Sequence, residues 1–206
     1  MCPRPYRLGR RAITGERVRH RILAAARRIL KRSAGPAAFS IDTVAHDAGV
    51  SRMTFYYRFG SRRGLLEALF DDLAARGHID DLPAVFAQPD PFRALCDFIE
   101  VFTGFWASGR VLTRRLQAMG EMDSELREGL RSRQERRRHG LTVLVQRIAQ
   151  AASLPAPIED VVDVLFALTS FDTFDALATK TRHPHEVTAL LQRLTRAYLS
   201  ATDRPA

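Results

Sequence analysis

Residues 39–70 read FSIDTVAHDAGVSRMTFYYRFGSRRGLLEALF. A serine oxygen accepts hydrogen bonds from the free N–H groups of a helical first turn, so Ser40 can cap a short helix. Ile41, Val44, Ala45 and Ala48 are its apolar positions. Gly49 suits the left-handed backbone of a tight turn. Ser51 can cap a second short helix, anchored by Phe55 and Phe59 one turn apart on one face. Val50 fits the angle between the two helices, and the small Ala45 and Ala48 let them approach. Two short helices joined by a glycine turn are a helix-turn-helix.

The second helix of such a motif lies in the major groove of DNA. With Phe55 and Phe59 turned inward, Arg52, Met53, Thr54, Tyr56, Tyr57 and Arg58 are left on or near the open side. Arginine can fork onto guanine O6 and N7, and Met53 or the Thr54 methyl can touch a thymine methyl. Tyrosine hydroxyls can donate to phosphates, which sets register without reading sequence; Tyr56 can equally pack at the rim of the core. Arg62 and Arg63 open the next helix, predicted over 62–75. Two cations at a helix N-terminus oppose its dipole by roughly 0.3–1 kcal/mol each, and an arriving phosphate reverses that sign.

Outward from this stretch, the first helix is expected to start near Thr14, with Val18, Ile22, Ala25, Ala26 and Ile29 as one apolar stripe. The glycine and proline of SAGPAA at 33–38 end it. The arm before it carries Arg4, Arg7, Arg10 and Arg11 without an acid. It is either a disordered leader or a segment that orders in the minor groove.

Net charge is +9 and unevenly spread. Residues 1–80 hold 16 Lys and Arg against 7 Asp and Glu, whereas residues 81–206 hold 16 of each. A basic module joined to a neutral one points to a polyanion partner for the first alone. At 46% hydrophobic and 27% charged, the composition is that of a soluble globular protein. No apolar run reaches the ~18 residues of a membrane span. The basic N-terminus lacks a signal peptide's apolar stretch, so a cytoplasmic protein is expected. Cys2 and Cys96 lack metal-type spacing and are read as free thiols.

Past GHIDDLPAVFAQPDP at 77–91, taken as a linker, helical periodicity resumes. Phe92, Leu95, Phe98, Ile99, Phe102, Phe105 and Trp106 form an aromatic stripe over 92–106. Residues 110–150 are expected to form two helices broken near 120–124 or 138–140, with RQERRRHG at 133–140 as a solvated face. Two more helices are predicted over 158–178 and 186–201. No sustained period-two alternation occurs, so the fold class is all-α.

The stretch at 39–70 resembles the DNA-binding signature of the TetR family of transcriptional regulators. It matches in the Gly49-Val50-Ser51 turn, in the Thr54-Phe55-Tyr56-x-x-Phe59 recognition helix, and in a serine-cation pair, Ser61-Arg62, opening the next helix. The likeness covers about residues 14–73. It implies that Arg52, Met53, Thr54, Tyr57 and Arg58 face bases or the groove, and that Ser40, Tyr56 and Arg62 contact the DNA backbone. Arg62 replaces the usual lysine, and Arg58 stands where an aromatic residue or histidine is frequent.

The expected organisation is thus a helix-turn-helix domain at 1–76 and a helical effector-binding and dimerisation domain at 77–206. Large rings and flexible methionines can line a cavity. Phe98, Phe102, Phe105, Trp106 and Met119 are candidates, with Met122 nearby. Thr103, Gln117, Thr169 and Asp172 can orient an apolar or aromatic effector. The neutrality of this half speaks against a strongly anionic one. Residues 158–178 together with the stripe Val187, Leu190, Leu191, Leu194 and Tyr198 can build a four-helix interface between two chains. The function expected is that of a ligand-responsive repressor binding a palindromic site in double-stranded DNA as a homodimer. No catalytic motif and no cofactor or metal site is evident; the two histidines of HPH at 183–185 read as a loop before a helix. The alternative is a sequence-blind DNA or membrane-surface binder using the basic first helix, although the helix-turn-helix core needs that helix's apolar stripe.

Overall fold

A computed structural model of the chain describes residues 8–32 and 39–201, and every regular element among them is helical. In order these are α1 (Leu8–Arg32), α2 (Ile41–Asp47), α3 (Arg52–Phe59) and α4 (Arg62–Arg76), then a 3-10 turn (Ile79–Asp81) and α5 (Leu82–Ala87). They continue with α6 (Pro91–Gly120), α7 (Ser124–Ala151), α8 (Ile158–Leu168), α9 (Phe171–Leu177) and α10 (Pro184–Leu199). The all-α class expected from the sequence is the class observed.

Several boundaries differ from the sequence reading, each for a local reason. Helix α1 begins at Leu8, so Thr14 lies within it rather than capping it; leucine, arginine and alanine are good helix formers with no proline among them. Of the basic arm, Arg4 and Arg7 fall outside the described residues, as does SAGPAA at 33–38. The supposed linker at 77–91 contains α5, which Pro83 opens and Val85 anchors in the core. Helix α6 is one helix of 30 residues where two segments were expected, since nothing between 106 and 110 breaks it.

The break that follows lies at 121–123, and 138–140 is inside α7. Gly140 is retained there because its bare backbone packs on rings; a Cβ would come within 3.1 Å of Phe86 and 3.2 Å of Phe98. The predicted helix at 158–178 is instead α8 and α9, separated at Thr169–Ser170. Ser170 caps α9 by accepting from the Thr173 N–H at 3.1 Å. A segment apolar on nearly every side is thereby resolved into two helices, each with its own buried face.

The chain divides into two compact units, one of the described residues up to Asp72 with Arg115–Leu126, the other of Leu73–Arg114 with the described residues from Arg127 on. In the first, Ile22, Ala25, Ala26 and Ile29 of α1 are buried, as are Val44 and Ala45 of α2, Phe55 of α3 and Leu65, Leu66 and Leu69 of α4. In the second, Phe98, Phe102 and Trp106 of α6 share a core with residues of α7 and α8, with Phe171 and Phe174 of α9, and with Val187 and Leu191 of α10.

Candidate functional site

The helix-turn-helix is assembled by matched local signals. Ser40 accepts from the Thr43 N–H and Ser51 from the Thr54 N–H, both at 3.1 Å, so the two helices start with the same Ser-x-x-Thr cap. Gly49 between them has φ of 61°. Part of the basic character of α1 is structural. Arg21 donates to the carbonyls of Ala48 and Gly49, and Arg28 pairs with Asp47 at 2.7 Å. Both tie α1 to the C-terminal end of α2, where free carbonyls favour a cation. The sequence hint is the spacing of Arg21 and Arg28, two turns apart on one face.

Phe55 is fully buried and packs edge-on against Tyr56 at 5.7 Å and on half-buried Phe59 at 5.5 Å. This fixes one side of α3 and leaves the other open. Met53 and Tyr57, one turn apart, are each 81% exposed, and Tyr56 stands at the rim, 38% exposed. Arg52 lies over the Tyr56 ring and pairs with Asp42 at 2.9 Å, both side chains in water. The Thr54 hydroxyl is engaged with Ser51, and the Ser40 hydroxyl with Thr43. Arg58 is drawn towards α1: its guanidinium lies where a Cβ on Gly15 would be, 2.7 Å from it, and 5.2 Å over the Tyr57 ring.

At the start of α4, Ser61 accepts from the Gly64 N–H at 3.1 Å. Arg62 is half-buried, pairs with Asp123 at 2.5 Å and lies over the Phe39 ring, whereas Arg63 is exposed. Although burial pushes the Asp123 carboxyl up, the Leu126 N–H and Arg62 together hold it below the ordinary aspartate range. Arg62 thus shares its charge with the turn that follows α6.

Gly64 is required here, which the sequence reading missed. A Cβ on it would lie 2.0 Å from the Phe59 carbonyl oxygen, so α4 starts against the end of α3 only because no side chain intervenes. Gly64→Ala is expected to destabilise the protein by about 1–3 kcal/mol, the usual cost of forcing packed backbone apart, and to weaken DNA binding with it. Chemical denaturation checks this; an unchanged midpoint would contradict the close approach.

In the second unit, Phe98, Phe102 and Trp106 are buried and in ring contact. Phe105 packs on Trp106 at 4.6 Å, and Trp106 on Phe171 at 5.5 Å. Thr169 is buried; its carbonyl accepts from the Trp106 indole at 3.0 Å and its hydroxyl from Arg137. Thr103 is buried and bonded to Thr188 at 2.7 Å. Asp172 and Met122 are exposed and line no core. Met119 is buried and Gln117 half-buried, but both belong to the 115–126 stretch that clusters with the first unit.

The expected dimer stripe also divides. Val187 and Leu191 are taken up by the chain's own core, which withdraws them from any surface. Leu190 and Tyr198 are half-buried, and Leu194 is 43% exposed. A stripe read from sequence identifies a buried face but not whose core it enters.

Arg137 was missed altogether. Within the run assigned to a solvated face, its side chain turns inward, only 4% exposed, against Phe166 at 3.9 Å. Burial, with Arg138 adding and Asp172 opposing, lowers its pKa to about 10, so it remains charged. Arginine runs carry no periodic apolar signal, so nothing in the sequence singles it out.

Comparison with known proteins places these residues in context. Residues 22–69 match the family model of bacterial regulatory proteins, tetR family. The chain is 40% identical over 88 residues to the HTH-type transcriptional regulator EthR of Mycolicibacterium smegmatis. That match takes in 42% of this chain and 40% of the relative, less than half the length of either. Among solved structures, a TetR transcription regulator from Haloarcula marismortui superposes with a TM-score of 0.67 at 19% identity, covering 91% of this chain and 98% of that one. The transcriptional regulator FadR from Bacillus subtilis, solved in complex with stearoyl-CoA, superposes with a TM-score of 0.69 at 16% identity, covering 90% of this chain and all of that one. At these identities the structural likeness speaks for the fold.

Proposed function

We propose that this chain, whose residues 22–69 match the tetR family model, is a transcriptional repressor of that family, a homodimer that leaves a palindromic operator when a small, largely apolar effector binds. The observation that carries DNA binding is the open face of α3. Met53 and Tyr57 stand 81% exposed on a helix whose other side Phe55 locks in place. In the major groove Arg52 takes a guanine edge and Met53 a thymine methyl, while Tyr56 and Arg62 take phosphates. Leaving Asp42 costs Arg52 little, because an exposed ion pair contributes about 0–1 kcal/mol. The match of residues 22–69 to this family speaks for a DNA-binding regulator rather than an enzyme. Among the described residues no helix is long and apolar enough to cross a membrane.

Residues 1–76 serve as the DNA-binding domain and 77–206 as the effector-binding and dimerisation domain, acting in the cytoplasm. The fold relative solved with stearoyl-CoA supports an effector with a long apolar part. The route of release runs along α6, which begins at Pro91 and ends just before the turn carrying Asp123, the partner of Arg62. A shift of α6 changes that pairing and the start of α4 with it. A ~100-fold loss of operator affinity requires about 2.7 kcal/mol of coupling, within the ordinary allosteric range.

Two substitutions test the division of labour on DNA. Arg62→Ala is expected to weaken all duplexes alike and to flatten the slope of log affinity against log salt by about one. Arg52→Ala is expected to relax discrimination at one base pair by about 1–3 kcal/mol. Fluorescence anisotropy on a selected and a scrambled duplex reads both. If Arg52→Ala weakens the two duplexes equally, α3 does not read bases and the sequence-blind alternative takes over.

A further inference from the structure

Arg137 is the one charged residue among the described residues whose side chain is buried. A guanidinium keeps its charge, and a buried charge is ordinarily matched by an opposite one. Among the described residues Arg137 has no ion pair with a carboxylate. One edge is structural: Nη1 donates to the Phe166 carbonyl at 2.8 Å and to the Thr169 hydroxyl, tying α7 to the end of α8 where the helix breaks. The other edge is held differently. Nε at 3.1 Å and Nη2 at 2.8 Å converge on a single neutral atom, Gln134 Oε1.

The Nε–Nη2 edge is the fork that a carboxylate fills with two parallel hydrogen bonds. Here one amide oxygen accepts both. Gln134 lies three residues earlier on α7 and is half-buried, so its side chain can swing out while the backbone stays in place. The guanidinium lies against rings, 3.9 Å from the centre of Phe166 and 6.0 Å from that of Phe102, which packs on Phe98 and Trp106, and it feels the opposed charges of Arg138 and Asp172, neither of which is hydrogen-bonded to it.

We infer that the Nε–Nη2 edge of Arg137 receives the carboxylate of an apolar organic acid, the effector of the proposed regulator, and that Gln134 holds its place in the free protein. This rests on the effector reading above and narrows it, against the expectation that the neutral half disfavours a strongly anionic ligand. The zero net charge of residues 81–206 is no obstacle, because recognition depends on one buried cation rather than on the domain's total.

Trp106 is the only tryptophan and packs on Phe102, so its fluorescence reports binding in the full chain. The probes are decanoate against decanol and 4-phenylbutyrate against 4-phenylbutanol. Each acid is expected to bind at least about tenfold tighter than its alcohol, the usual margin of a charged hydrogen-bonded pair. Gln134→Glu supplies the carboxylate from within, leaves Arg137 in place, and is expected to bring the acids down to the level of the alcohols. Arg137→Met is expected to do the same, and where it fails to fold, Gln134→Glu and the wild-type ratio still decide.

Equal binding of acid and alcohol by the wild type overturns the inference, as does an acid preference that survives Gln134→Glu. An alcohol that binds and releases operator without any acid preference removes this inference and leaves the effector reading standing. Failure of all four probes to bind overturns both.

Discussion

Leu191→Arg is expected to abolish the cooperative thermal unfolding of the unit built from Leu73–Arg114 and the residues beyond Arg127. Leu191 is 1% exposed, and Val187, one turn before it on α10, is completely buried. Both belong to the core that holds Phe98, Trp106 and Leu165. A guanidinium forced into that core meets apolar side chains, and an unpaired buried charge costs about 3–5 kcal/mol. The lost leucine burial adds about 1.5–3 kcal/mol. Together these match much of the 5–15 kcal/mol by which a domain of ordinary size is stable. Leu194→Arg, one turn on and 43% exposed, is expected to melt like the parent. Sedimentation of that variant then tests the proposed dimer without the confusion of unfolding. A parent-like melting curve for Leu191→Arg would mean that α10 is not packed as described.

Phe55→Ala is expected to eliminate DNA binding at every sequence. The ring is fully buried, and removing such a side chain costs about 3–5 kcal/mol. It is the anchor that leaves Met53 and Tyr57 outward on α3, and its ring contacts with Tyr56 and Phe59 go with it. The second unit contains none of these residues, so its thermal transition is expected to persist while operator affinity falls below detection. Retention of sequence-specific binding by this variant would refute the packing of α3.

These two sites also mark where sequence was and was not sufficient. The helix-turn-helix was legible because its signals are local. Ser40 and Ser51 cap their own first turns, and Gly49 bends its own backbone. The same Ser-x-x-Thr cap recurs at Ser170 and Thr173. There it was hidden by an apolar run long enough to read as one helix, although the cap itself was visible. Gly64 and Gly140 could not be assigned, since each is explained by what another segment brings against it, the Phe59 carbonyl or the Phe86 and Phe98 rings. Periodicity found the buried face of α10 but not that Val187 and Leu191 are spent within the chain. Arg137 was the least legible, because a run of arginines reads as solvated until a fold turns one inward against Phe166.

The most direct measurement is selection of bound sites from random double-stranded DNA with the purified full chain. The reading of α3 as a base-reading helix in a symmetric dimer predicts a near-palindromic motif of roughly 15–20 base pairs, with half-sites about one helical turn apart. It further predicts that one position of each half-site relaxes in Arg52→Ala. Recovery of DNA without any enriched motif, from a protein that still binds strongly at low salt, would contradict it.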